Sequence, residues 1–191
     1  PSGNQGPVAT SWKSFRAYQR DEAWVWEHLA LSRARVIIGN SALAADVESF
    51  RVDLLGQDQR RETVLQEVVD MRARISMAKA PAGTLDVKIG PGRLLDVELV
   101  SQAGAVLAGL PATDVASGLR GAVAIGWLDD ADLTALNQVY DLCWRVQVAA
   151  RLVSEHPLEV SGMGQAGRDF LLRITGVRDV DSLQSRLVDL A

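Results

Sequence analysis

The chain is punctuated so that only helix-length segments lie between its turn signals, and within them apolar residues recur every three or four positions. From Ser11 to Ile38 it is dense in helix formers and free of Gly and Pro, which predicts one long first helix. Gly39-Asn40-Ser41 is a stop followed by a cap, and Ser41 to Leu55 gives a second helix ended by Gly56. Arg61 to Lys79 carries Val64, Val68, Met71 and Ile75 on one stripe. Pro81-Ala82-Gly83 breaks that helix. Thr84 to Ile89 alternates, with Leu85, Val87 and Ile89 on one side, which predicts a short strand before the Gly90-Pro91-Gly92 turn. Leu94 to Leu110 returns to helix along Leu95, Leu99, Ala103, Val106 and Leu110. A short helix covers Thr113 to Leu119. Asp129 or Asp130 caps the longest helix, which runs to about Glu155, where His156-Pro157 ends it. That helix is apolar on most sides and is expected to be central. Phe170 to Ile174 and Val180 to Leu190 are two last short helices. The fold class is all-α: an up-and-down helical bundle with a short strand and turn insertion and small C-terminal helices.

Composition narrows the function classes. With 191 residues and 48% hydrophobic content the chain can bury a sizeable core. Net charge is −4 and no basic block stands out, so nucleic acid is not an expected partner. No apolar run reaches the roughly 20 residues of a membrane span, so no membrane partner is expected either. The lone Cys143 fits a reducing, cytoplasmic setting. The first residues lack a secretion signal and an initiator Met, which suggests a piece of something longer.

Two stretches place charge among apolar residues, where it is costly unless paired or used. The first is Ala23 to Arg35. On a helix, Trp26, Leu29, Ala30, Arg33 and Ile37 share a face, so Arg33 sits within an apolar stripe and wants a carboxylate. Trp24, His28, Leu31 and Arg35 form a second, mixed stripe. Trp26 and Arg33 read first as core packing and an inter-helix tie; for His28 and Arg35 structure and function are evenly matched. The second stretch is Asp86 to Glu98. Lys88 and the glycine turn precede a helix carrying Asp96 and Glu98. Those two carboxylates, two residues apart, point to nearly opposite sides, so they cannot form one acid/base pair, and one is expected to pair with Arg33 or Arg35.

Other motifs fail on context. Gly162-Met163-Gly164-Gln165-Ala166-Gly167 matches the dinucleotide fingerprint by letter, but without a strand before it or a strand–helix–strand unit around it, and it reads as a loop. Cys143 has no base nearby in sequence, and no His or Cys has metal-ligand spacing. Neither a catalytic nor a metal-binding set is expected in this chain.

Taken in order, Pro1-Ser2-Gly3-Asn4-Gln5-Gly6, Tyr18-Gln19-Arg20, Ala23-Trp24-Val25-Trp26-Glu27-His28, Arg33-Ala34-Arg35, Gly39, Met71-Arg72, and Asp86-Val87-Lys88 with Gly90-Pro91-Gly92 and Asp96-Val97-Glu98 resemble the bacterial bifunctional glutamine synthetase adenylyltransferase/adenylyl-removing enzymes. The resemblance covers roughly residues 1–105. The Trp-Glu-His form is similar to the helical domain of the C-terminal, adenylylating half. It implies that residues 1–10 are a remnant linker from an upstream nucleotidyltransferase domain, that 11–156 are the main bundle, and that 157–191 are a helical extension packed on it. It also implies an enzyme that moves AMP from ATP to a tyrosine of glutamine synthetase with Mg2+ in nitrogen regulation, with glutamine synthetase and the PII signal protein as partners. The catalytic residues and the ATP and Mg2+ sites would lie upstream, leaving this piece inactive by itself. Glu27, His28, Arg33, Arg35, Lys88, Asp96 and Glu98 are then the candidate cleft or domain-interface contacts. Arg93 stands where that family has Gly, Leu99 where it has Phe and Asn40 where it has Asp; Arg93 adds bulk and charge at a close-approach turn. A stand-alone helical protein-interaction module is the alternative expectation.

Overall fold

The computed structural model describes residues 9–57, 61–154, 158–160 and 162–189. The family-like start at Pro1 to Gly6, most of the expected linker, and the His156-Pro157 stop lie outside the described residues. Those described form an all-α bundle of nine helices without a strand: α1 (Trp12–Asp21), α2 (Val25–Ser32), α3 (Ser41–Leu55), α4 (Arg61–Ala78), α5 (Leu94–Leu107), α6 (Val115–Ala124), α7 (Asp130–Val153), α8 (Gln165–Thr175) and α9 (Val180–Asp189).

Helix α5 is the centre of the bundle, packing against α2, α4, α6 and α7. Its Ala103 and Val106 join Leu29, Leu55 and Val64 in one apolar cluster. Its Val97 joins Val115 and Leu119 in another. The expectation of a central α7 is therefore corrected: α7 buries Leu142, Cys143, Val146 and Ala149 but leaves Trp144, Val148 and Leu152 in solvent. That buried face meets Leu171 of α8 and Leu183 and Leu187 of α9.

The expected single helix from Ser11 to Ile38 is two helices. No Gly or Pro causes the break. The Glu27 carboxylate accepts the Trp24 backbone N–H at 2.9 Å and the Tyr18 hydroxyl at 2.8 Å, so Trp24 turns extended and starts a new helix. Helix α2 then stops at Ser32 because its next carbonyls are taken. The buried Arg51 guanidinium donates to Leu31 O at 3.2 Å and Ser32 O at 2.9 Å, and Ala112 N–H donates to Ser32 O at 2.9 Å. In a continuing helix those oxygens would accept from Arg35 and Val36.

The expected strand at 84–89 is a run of turns. Its alternation is real, since Leu85, Val87 and Ile89 are buried. No second strand lies beside it, and its carbonyls are satisfied by a side chain instead of a ladder: Arg93 donates to Thr84 O at 2.7 Å and Asp86 O at 3.0 Å. Arg93 also reaches Leu187 O, in the last turn of α9, at 3.4 Å. The bulk and charge read at this close-approach turn thus point inward, where carbonyl oxygens and a helix C-terminus stabilise the guanidinium. Gly90 lies directly over it; a Cβ there would come within 2.7 Å of the Arg93 side chain. The glycine-rich hexad is likewise no loop throughout, because α8 begins at Gln165 with Gly164 as its N-cap.

Candidate functional site

The first candidate residues sit around the α1–α2 joint and the end of α2. Glu27 is buried and held by Tyr18 and Trp24. That hydrogen bond is the main reason the Tyr18 phenol is raised above its ordinary pKa, helped by desolvation and the carboxylate's charge. His28, half-buried, places Nε2 3.1 Å from the carbonyl of Gln19, so a ring N–H donates there. Both groups brace the joint. Arg35 is exposed and lines a shallow concavity with Ile37, Ile38 and Leu43. Ile38 is 92% exposed, an unusual position for an isoleucine.

The two carboxylates of α5 diverge as their spacing requires. Glu98 Oε2 meets Arg33 Nη1 at 3.3 Å, which ties the first charged stretch to the second. Asp96 turns the other way. It pairs with Arg72 of α4 and accepts the Gly92 N–H at 2.7 Å, clamping the Gly90-Pro91-Gly92 turn against α4. Arg72 also donates to Ile89 O at 3.2 Å.

Lys88 is exposed at the rim of two adjoining clefts that share Lys88 and Gln147. One, about 260 Å³, is lined by Leu94, Leu95, Glu98 and Trp144. Trp144 is 51% exposed and stacks on Tyr140 with ring centroids 6.3 Å apart. Burial first, then the Glu98 charge, pushes the Tyr140 phenol up, with Arg33 opposing. The second cleft, about 240 Å³, holds Lys79, Asp86 and Arg151 over an apolar floor. Of the seven candidates, then, Lys88 and Glu98 share a cleft, Arg33 is bonded to Glu98, and Arg35 stands apart. Glu27, His28 and Asp96 are engaged internally.

Sequence reasoning missed the α7 wall. Tyr140, Trp144, Gln147 and Arg151 fall at i, i+4, i+7 and i+11, one face of a helix. The signal was present, masked by the helix's apolar content. Among the described residues no group of three or more His, Cys, Asp or Glu side chains is placed to hold a metal. No helix among those residues is long and apolar enough to cross a membrane. Cations, an indole and a carboxamide line this groove, so the described residues form an all-α bundle with an open, charged cleft on one face.

The family model for glutamate-ammonia ligase adenylyltransferase matches residues 1–50. A bifunctional glutamine synthetase adenylyltransferase/adenylyl-removing enzyme from Mesorhizobium japonicum is 38% identical over 98% of this chain and 19% of its own length. The enzyme of that name from Agrobacterium fabrum is 46% identical over 53% of this chain and 10% of its own length. The Brucella suis enzyme is 31% identical over 99% of this chain and 20% of its own. No solved structure matches. The chain belongs to the glutamine synthetase adenylyltransferase/adenylyl-removing enzyme family. It spans about a fifth of the length of the first and third of these relatives.

Proposed function

We propose that this chain is the helical domain of the adenylylating half of such an enzyme, inactive alone. Joined to an upstream nucleotidyltransferase domain that binds ATP and Mg2+, it would help move AMP to a tyrosine of glutamine synthetase, with PII as a regulatory partner. The observation that carries this reading is the 38% identity across 98% of the chain to only 19% of a relative. Two features of the structure support this reading. The Arg33–Glu98 pair, 37% and 26% exposed, locks the two family-like stretches together at the groove and leaves Lys88 free of any ion pair among the described residues. Arg35 with the bare Ile37 and Ile38 supplies a mixed apolar and cationic edge of the kind a neighbouring domain covers.

The test joins this chain to the upstream nucleotidyltransferase domain and measures AMP transfer to glutamine synthetase. Arg33→Met and Lys88→Gln should each lower kcat/KM about tenfold, the loss of one partly screened charged contact. Transfer by the 191-residue chain alone, or unchanged transfer by both variants, would refute the reading.

A further inference from the structure

We propose that the cleft between the turn at 84–89, the end of α4 and the last turns of α7 binds the phosphate or diphosphate group of a small molecule. The end of α4 and the turn that follows it bring Lys79 and Lys88 to one cavity of about 240 Å³, where the distant α7 adds Arg151. None of the three forms an ion pair among the described residues. On a chain of net charge −4, with acids to spare, three cations left unpaired in one concavity repel each other for no structural return.

Among the described residues one carboxylate lines the cleft, and it offsets only one of the three charges. Asp86 Oδ2 accepts the Ala82 N–H at 3.1 Å and Oδ1 accepts the Lys88 N–H at 3.3 Å, so it shapes the turn. Among the described lining residues, three positive charges against one negative leave two, the charge of a phosphate dianion. Lysine ammoniums are point charges that suit a tetrahedral anion approached from several sides, and one guanidinium adds a fork. Gln147, one turn before Arg151 on the same face, supplies a neutral N–H donor. The neighbouring cleft with the exposed Trp144 starts across Lys88 and Gln147. Together the two are large enough for a ring attached to that phosphate. The inference does not rest on adenylyl transfer, and Lys79 and Arg151 have no part in that reading.

Calorimetric titration of the 191-residue chain at low salt would use pyrophosphate, ADP and succinate. Pyrophosphate should bind with Kd below about 1 mM and at least about tenfold tighter than succinate. Lys79→Gln with Arg151→Gln should weaken it at least about tenfold. Both side chains are exposed, and unchanged circular dichroism would show that the variant folds. ADP binding tighter than pyrophosphate, with the excess lost in Trp144→Ala, assigns the site to a ringed phosphate compound; equal binding assigns it to the free ion. Succinate matching pyrophosphate, no binding of either phosphate probe, or an indifferent double variant would overturn the proposal.

Discussion

Arg51 offers the sharpest test of how this fold holds together. It is 1% exposed, with its partner Glu48 44% exposed on the rim. Two charge-assisted hydrogen bonds, to Leu31 O and Ser32 O, contribute roughly 1.5–3 kcal/mol each before desolvation is subtracted. Neither carbonyl is orphaned by losing Arg51, since Ala34 N–H still reaches Leu31 O at 3.1 Å and Ala112 N–H still reaches Ser32 O at 2.9 Å. Arg51→Met keeps the stem and removes the buried charge, so desolvation relief offsets part of the loss and the net cost is about 2 kcal/mol. Arg51→Lys keeps the charge but loses the fork. It should cost more, about 3–4 kcal/mol, because a buried ammonium is left with fewer acceptors. Arg51→Ala adds a cavity and should cost about 4 kcal/mol. Urea unfolding followed by far-UV circular dichroism would rank the three. If Arg51→Lys came within about 0.5 kcal/mol of the parent, the fork geometry would not be what ends α2, and the reasoning fails.

Burial pushes the Cys143 thiol up to about 11, against weaker opposition from Arg93. The folded state therefore favours the protonated thiol: this stability is full below the usual thiol range, near pH 9, and about 2–3 kcal/mol is lost as pH rises to about 11. Cys143→Ala should flatten that part of the pH–stability curve, and native protein at pH 8 should resist a thiol reagent that labels it once unfolded. Gly118→Ala should destabilise by about 2–4 kcal/mol in the same urea assay, although helix propensity alone favours Ala by about 1 kcal/mol. Its Cβ would overlap the Ser101 carbonyl and hydroxyl, where α5 and α6 touch backbone to backbone. Asp179, ahead of α9, accepts the Ser182 N–H at 2.7 Å, and its bonds to Ser182 hold its carboxyl at about 2. Its contribution is present above the ordinary carboxylate range and disappears as pH falls toward about 2, so Asp179→Ala should lose the acid-side slope of a pH titration of thermal stability.

The elements written into local chemistry were legible. Helix α3 runs Ser41–Leu55 as read, because Asn40 accepts the Leu43 N–H at 2.9 Å and Gly56 ends the helix. The Asp129 cap of α7 and the divergence of Asp96 from Glu98 follow equally from spacing. What was illegible depends on partners far along the chain. Nothing around Arg51 or Arg93 separates a buried guanidinium from a solvated one. The break before Trp24 depends on Tyr18 meeting Glu27, nine residues on. The strand reading failed because alternation reports which side chains are buried, and says nothing of where the backbone bonds go. The cationic cleft was only partly visible for the same reason: Lys88 stood out beside its glycine turn, but nothing in the sequence joined Lys79 and Arg151 to it.

These misses share one cause, and it bears on function. The chain uses charge in two ways. Inside, Arg51 and Arg93 satisfy backbone carbonyls that no helix or sheet would, which lets α2 end and the 84–89 segment turn without a ladder. Glu27 and Asp96 do the same for backbone N–H groups. Outside, the cations of the α7 groove have no such employment. An internal guanidinium fixes geometry because its acceptors are part of the chain, whereas an external unpaired cation gains only from something that arrives. Replacing the first kind should show in unfolding and the second in binding. A groove variant that lowered stability as much as Arg51→Ala would mean that the two classes had been wrongly divided.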